Sequence, residues 1–357
     1  MEASLTVSDL GEIQLLKKIF IPDVSSNTKE INDDCAHFQA NGNMLWSIDP
    51  CPTPMANWFN KATPEVWGCY TAIINLSDIA ASGGTPIGML VSLEIPDNTP
   101  VEFLKRYQSG LMAALQKADA KLLGGNVKST AKFGATGTII GAASEQKVTR
   151  HIKQKNCTFY LVGQSGRFWS SVIGNHYGWD NLPTTIQNEL NEALCFPVPQ
   201  TKAGQMIGSL NFEVACMDCS DGAANALFQL AHLNDLDITV YDDIKWDLDP
   251  NTTEFVLNKN INLENIFYSF GDWQLACLVP NEYIEIFESK LNNFTLTKLG
   301  YTQSGIGQVK TENNRILNKN SLNQNFSGGY NSINSIEDMI SKFMDIPIFI
   351  DESMINQ

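Results

Sequence analysis

The sequence predicts two mixed α/β or α+β domains, and three observations lead there. The chain has 357 residues, more than the roughly 100 to 200 of one ordinary domain. Its 43% hydrophobic content suffices for two cores. Strand-like and helix-like segments interleave on both sides of a polar stretch from Ser144 to Asn156, the expected boundary region.

In the first half, Gly11-Glu12 followed by Ile13, Leu15, Leu16, Ile19 and Phe20 predicts a short amphipathic helix, and the polar run from Asp23 to Asn32 predicts a loop. Cys35-Ala36-His37-Phe38 and Met44 to Asp49, separated by Asn41-Gly42-Asn43, read as a two-stranded hairpin. Pro64 and Glu65 open a helix with Val66, Trp67, Tyr70, Ile73 and Ile74 at helical spacing, and Ser82-Gly83-Gly84-Thr85-Pro86 ends it. A strand from Ile87 to Ile95 precedes a second helix from Val101 to Asp119, with Phe103, Leu104, Tyr107, Leu111, Met112 and Leu115 on one side. Two more strands follow, one ending Leu122-Leu123-Gly124-Gly125-Asn126 and one containing Thr136 to Gly141.

The second half restarts with a strand from Cys157 to Gly163, then a Gly- and aromatic-rich segment, a helix near Thr184 to Ala193, and the link Phe196-Pro197-Val198-Pro199. A short apolar strand then meets Ser220-Asp221-Gly222, and Ala223 to Leu233 reads as the helix these residues cap. The last third is Asn-rich and carries little periodic pattern. No repeat of 20 to 50 residues occurs.

The formal charge of −15 disfavours nucleic-acid phosphates and anionic lipid as partners. No apolar run reaches the length of a membrane span and the N-terminus has no signal-peptide order, so a soluble, cytoplasmic protein is expected. The eight cysteines are scattered, several within apolar runs, as reduced core thiols are. Cys216-Met217-Asp218-Cys219 lacks the second pair, or a His at ligand spacing, that a zinc site needs.

The acidic residues are more informative. Asp33, Asp34, Asp49, Asp78, Asp218 and Asp221 fall at strand ends, loop exits or a helix start, where folds present ligands. Convergence of several such carboxylates would require a hard cation such as Mg²⁺, because like charges at short range repel strongly in a partly dehydrated site. The competing reading of Asp221 is an ordinary helix cap. Walker A, HExxH, GxSxG and GxGxxG patterns are all absent; Gly124 to Thr130 lacks the Gly before Lys128. Carboxylates, Gly-rich turns and few bases suit phosphoryl transfer, which needs positioning and charge neutralisation more than proton abstraction.

At these residues the chain resembles the thiamine-monophosphate kinase family, within the superfamily of aminoimidazole-ribonucleotide synthetase (PurM-like). Asn32-Asp33-Asp34-Cys35-Ala36 is similar to its Gly-Asp-Asp motif, Ser47-Ile48-Asp49 to Ser-Thr-Asp, and Asn75-Leu76-Ser77-Asp78-Ile79-Ala80-Ala81 is the most specific block. Gly124-Gly125-Asn126 stands at Gly-Gly-Asp, Thr149-Arg150 at Thr-Arg, Asp218-Cys219-Ser220-Asp221-Gly222 at Asp-x-Ser-Asp-Gly, and Asp272-Trp273-Gln274-Leu275 at Asp-Tyr-Glu-Leu.

The resemblance implies a PurM-like N-terminal ATP-binding and dimerisation domain over 1–147, a C-terminal domain over 148–335 and an extension over 336–357. It implies a homodimer in which ATP lies in a cleft between domains and the γ-phosphoryl group moves to thiamine monophosphate. The six aspartates would be metal ligands, with Asp218 and Asp221 closest to the chemistry, while Gly124, Gly125, Asn126, Arg150 and Ser220 would approach ATP. Trp58, Phe59 and Trp273 would meet the acceptor. Departures cluster near that acceptor, where Trp58-Phe59 replaces His-Phe and Tyr70 replaces Lys; at the Gly-Gly-Asp motif Asn126 replaces Asp. They leave two alternatives, the same fold and ATP with another small acceptor, or a nucleotide-binding homologue without catalysis.

Overall fold

The computed structural model describes residues 5–23, 41–145, 147–323 and 330–351. Asp33, Asp34 and the expected strand at Cys35 to Phe38 lie outside the described residues. The chain divides into two compact units, one of residues 1–79 and 84–144 and the other of 80–83 and 145–357.

In the first unit, α1 (Val7–Leu15) starts four residues before the expected Gly11, which interrupts it at φ 69°, ψ 164°. A π-helical turn, Leu16–Phe20, follows, and Leu15 and Ile19 are buried. Strand β1 (Met44–Pro50) precedes α2 (Pro64–Ala81), β2 (Thr85–Ile95), α3 (Val101–Lys117), β3 (Lys121–Ser129) and β4 (Gly134–Ala142). The sheet order is β1-β4-β2-β3, with β2 and β3 parallel on either side of the α3 crossover. Beyond the apolar positions at helical spacing, α2 is buried nearly all round, including Thr71, Asn75 and Ser77. Two glycines allow α3 so close: a Cβ on Gly68 would lie 1.9 Å from the Tyr107 carbonyl, and one on Gly110 would lie 2.0 Å from that of Glu65. Arg106 adds a forked ion pair to Glu65 at 2.6 and 2.8 Å.

The second unit contains β5 (Cys157–Val162), α4 (Arg167–Tyr177), α5 (Thr184–Cys195), α6 (Thr201–Gly208), β6 (Ala215–Asp218), α7 (Ala223–Leu233) and β7 (Leu236–Val240). Then come α8 (Pro250–Asn258), α9 (Leu263–Tyr268), β8 (Leu275–Pro280), α10 (Ile284–Lys290), β9 (Leu296–Ser304), β10 (Val309–Thr311), β11 (Ile316–Leu317), α11 (Ile336–Ile340) and β12 (Phe349–Ile350). These strands form one sheet in the order β12-β11-β10-β7-β9-β5-β8-β6. Alternation along the central strands feeds two cores. Phe159 and Leu161 join Leu227, Leu230 and Phe267 on one face; Tyr160 and Val162 join Ile207, Phe212 and Phe287 on the other. With both faces covered, β5 and β8 read as continuous apolar runs.

The segment expected as an extension, 336–357, is built into this unit as far as it is described. Met339, Ile340, Phe343 and Met344 are buried, and Leu317 pairs with Phe349 between β11 and β12. Asn265 Nδ2 donates to the carbonyls of Phe343 at 2.8 Å and Ile346 at 2.6 Å, tying the segment to α9. Among the described residues no helix is long and apolar enough to cross a membrane.

Candidate functional site

In the first unit, the two-residue period of β1 places Ser47 and Asp49 on its half-buried face and leaves Trp46 and Ile48 on the other, 72% and 66% exposed. Asp78, in the last turns of α2, accepts a hydrogen bond from the Ser47 hydroxyl. Thr138 of β4 braces this point by donating to the Ser47 carbonyl at 2.9 Å. One turn earlier on α2, Asn75 donates through Nδ2 to the carbonyls of Thr71 at 3.0 Å and Asp49 at 3.5 Å. Its Oδ1 is buried with no hydrogen-bond partner. Gly137 makes room for it, because a Cβ there would approach Asn75 Nδ2 to 2.5 Å. Ser47 and Asn75 belong to the motifs quoted above, and sequence alone did not assign them a role.

Gly124, Gly125 and Asn126 do not form the expected strand-ending turn. They lie in the middle of β3, at the edge of its sheet, because β3 stays paired with β2 as far as Ser129. Gly125 has a packing reason to be glycine: a Cβ would lie 2.1 Å from the Val91 carbonyl. Trp58 and Phe59 sit half-buried in a 3₁₀ turn, Met55–Phe59, ended by Asn60 at φ 55°. Tyr70 is buried in the core of this unit.

In the second unit, β6 ends on Asp218, which is 3% exposed. The chain turns through Cys219, Ser220 and Asp221 into α7, with the Gly222 N–H on the Cys219 carbonyl at 2.9 Å. Gly222, at φ 97°, is the N-cap, and a Cβ there would lie 2.7 Å from the Tyr268 carbonyl. Asp221 is therefore not the helix cap. Its Oδ1 accepts from Asn323 Nδ2 at 2.6 Å. Burial raises its pKa, partly offset by that bond and by the Arg150 charge. Ser220 is exposed. Arg150 is anchored nearby: its guanidinium donates to Gln229 on α7 at 3.2 Å and its carbonyl accepts from Asn234 at 2.9 Å. Burial also pushes the Cys219 thiol well above its ordinary value, which suits an inert core thiol.

Asp272 has a structural task. Its carboxylate accepts from the backbone N–H groups of Gly166 at 2.6 Å and Phe168 at 2.9 Å, capping α4 across more than 100 residues of sequence. Burial raises its pKa to about 6 despite these bonds. Trp273, in the left-handed region at φ 53°, is 9% exposed. It belongs to the buried residues of its unit.

Asp49 and Asp78 thus fall in the first unit, Asp218, Asp221, Ser220 and Arg150 in the second, and Asp33 and Asp34 outside the described residues. Among the described residues no three His, Cys, Asp or Glu side chains form a group able to hold a metal. The candidate donors among the described residues, Asp49, Asp78, Asp218 and Asp221, are all carboxylate oxygens, a chemistry that fits a hard cation such as Mg²⁺.

Residues 32–143 match the family model of the AIR synthase related protein, N-terminal domain. The thiamine-monophosphate kinase of Bacillus subtilis is 27% identical over 315 residues, covering 82% of this chain and 92% of that protein. That of Corynebacterium glutamicum is 29% identical over 232 residues, covering 63% of this chain and 69% of that protein. Among solved structures, AaThiL complexed with AMPPCP and TMP aligns with a TM-score of 0.66 at 21% identity, over 77% of this chain and 85% of that one, which supports the fold.

Proposed function

We propose that the chain is a divergent member of the thiamine-monophosphate kinase family and transfers the γ-phosphoryl group of ATP to thiamine monophosphate, giving ADP and thiamine diphosphate. The observation that carries this reading is the match to the Bacillus subtilis kinase across 92% of that protein's length, too long to come from one unit alone.

Mg²⁺, when bound, would neutralise phosphate charge; its donors in this reading are Asp49 and Asp78 of the first unit, Asp218 and Asp221 of the second, and Asp33 and Asp34, which the sequence motif adds. Ser47 orients Asp78 through its hydroxyl. Arg150, held by Gln229 and Asn234, brings a cation to the phosphates. Gly124, Gly125, Asn126 and Ser220 contribute nucleotide contacts, with Asn126 supplying an amide where a carboxylate would add charge. Trp58 and Phe59 supply aromatic faces to the acceptor ring. The exposed Trp46 and Ile48 on β1 support a homodimer formed through that face. We place the protein in the cytoplasm, with no nucleic-acid partner, in keeping with its charge of −15.

A second reading keeps ATP and changes the acceptor, favoured by the aromatic pair Trp58-Phe59 in place of His-Phe. The test is ADP release with Mg²⁺-ATP against thiamine monophosphate and a panel of other small phosphorylated acceptors. Release that depends on thiamine monophosphate supports the first reading, and release that depends on another acceptor supports the second.

A further inference from the structure

The Asp221 carboxylate is bonded from a part of the chain that the sequence motifs do not touch. Asn323 lies 102 residues further on, after β11, in the Asn-rich third. Its own placement is strongly determined. Its backbone N–H donates to Asn225 Oδ1 at 3.0 Å and its carbonyl accepts from Asn225 Nδ2 at 2.7 Å, a reciprocal clamp onto the first turn of α7. Its side-chain Oδ1 accepts from the Tyr330 N–H at 3.0 Å. Since only an amide oxygen can accept there, Nδ2 must be the end facing Asp221. At 7% exposure, the side chain has little freedom to swing away.

A carboxylate in a loop between a strand and a helix has several rotamers, and only one of them presents an oxygen to a ligand at a fixed position. A donor at 2.6 Å on Oδ1, itself clamped by three other bonds, selects one. We propose that Asn323 is a positioning residue: it holds Oδ1 of Asp221 so that Oδ2 is presented to Mg²⁺-ATP. This rests on the kinase reading and adds to it a residue outside the family motifs. Asn225 serves the same end indirectly, by fixing the Asn323 backbone to the helix that follows Asp221.

The test is a double-mutant cycle on the full chain, with Mg²⁺-ATP affinity read by calorimetric titration and the unliganded fold checked by thermal melting. Asn323→Ala is expected to weaken Mg²⁺-ATP binding about tenfold or more, the scale of a lost hydrogen bond to a charged group. In the Asp221→Asn background the same substitution is expected to change affinity less than twofold, because it acts only through Asp221. If Asn323→Ala fails to fold, Asn323→Asp replaces it, since it keeps an acceptor for the Tyr330 N–H and removes the donor to Asp221. Unchanged affinity in the folded single variant, or equal losses in both backgrounds, would overturn the proposal while leaving the kinase reading intact. A wild-type chain that binds no Mg²⁺-ATP would overturn both.

Discussion

Asp78 and Asp119 are both carboxylates near the C-terminal end of a helix, yet substitution should affect them differently. Asp78 takes the Ser47 hydroxyl, and Asp119 follows α3 in the left-handed region at φ 55°, exposed, where Asn is equally at home. Asp78→Asn is expected to reduce phosphoryl transfer at least a hundredfold with an unchanged melting temperature, while Asp119→Asn leaves both unaltered; steady-state kinetics and melting curves check this. Trp58→Ala is expected to raise the KM for the acceptor severalfold without changing ATP affinity, measured by paired titrations. Loss of ATP affinity with unchanged acceptor KM would move Trp58 to the nucleotide.

Asp272 supplies a residue-scale test of pH dependence. Its folded pKa, about 6, lies above the ordinary 3.8, so between these values the folded protein binds more protons than the unfolded chain. Its contribution to stability is therefore full below about pH 4, declines as pH rises and levels off above about pH 6. By linkage the decline is up to about 3 kcal/mol. Asp272→Asn should abolish that part of the pH dependence, visible as a wild-type minus variant difference in urea unfolding between pH 4 and pH 7.

At the scale of elements, the α2–α3 contact depends on two glycines facing opposite carbonyls. Gly110→Ala would raise helix propensity by about 1 kcal/mol, but its methyl would have to occupy space 2.0 Å from the Glu65 carbonyl. Overpacking against backbone costs about 1–3 kcal/mol, so net destabilisation is expected in urea titrations. The elements with their own periodicity were legible: α2, α3, β5 and α7 lie where the hydrophobic pattern puts them. The helix α4 was not, because its capping carboxylate comes from Asp272 and leaves no local start signal. By contrast α8 did carry one, Asp249 accepting from the Asn251 and Thr252 N–H groups with Pro250 in the first turn, but it stood in a stretch with little other pattern. Asn323 had no local signal at all, since its partners Asp221 and Asn225 are brought to it by the fold.

For the whole molecule, the sequence motifs single out six aspartates one by one, and the four that lie among the described residues fall in two units, each with its own bracing: Ser47 and Asn75 beside Asp49 and Asp78 in one, Asn323 and Arg150 beside Asp221 in the other. Carboxylates in such number should repel ATP until cations intervene, so ATP is expected to raise the melting temperature in Mg²⁺ and not in chelator. Equal shifts in both conditions would mean that ATP binds without a bridging metal. Phosphorus magnetic resonance of a mixture of enzyme, ATP, Mg²⁺ and thiamine monophosphate follows the proposed transfer atom by atom. The monophosphate ester signal is expected to give way to a diphosphate in step with conversion of ATP to ADP. A monophosphate signal that persists while ATP is consumed, or ATP consumption that does not depend on the acceptor, would contradict that transfer.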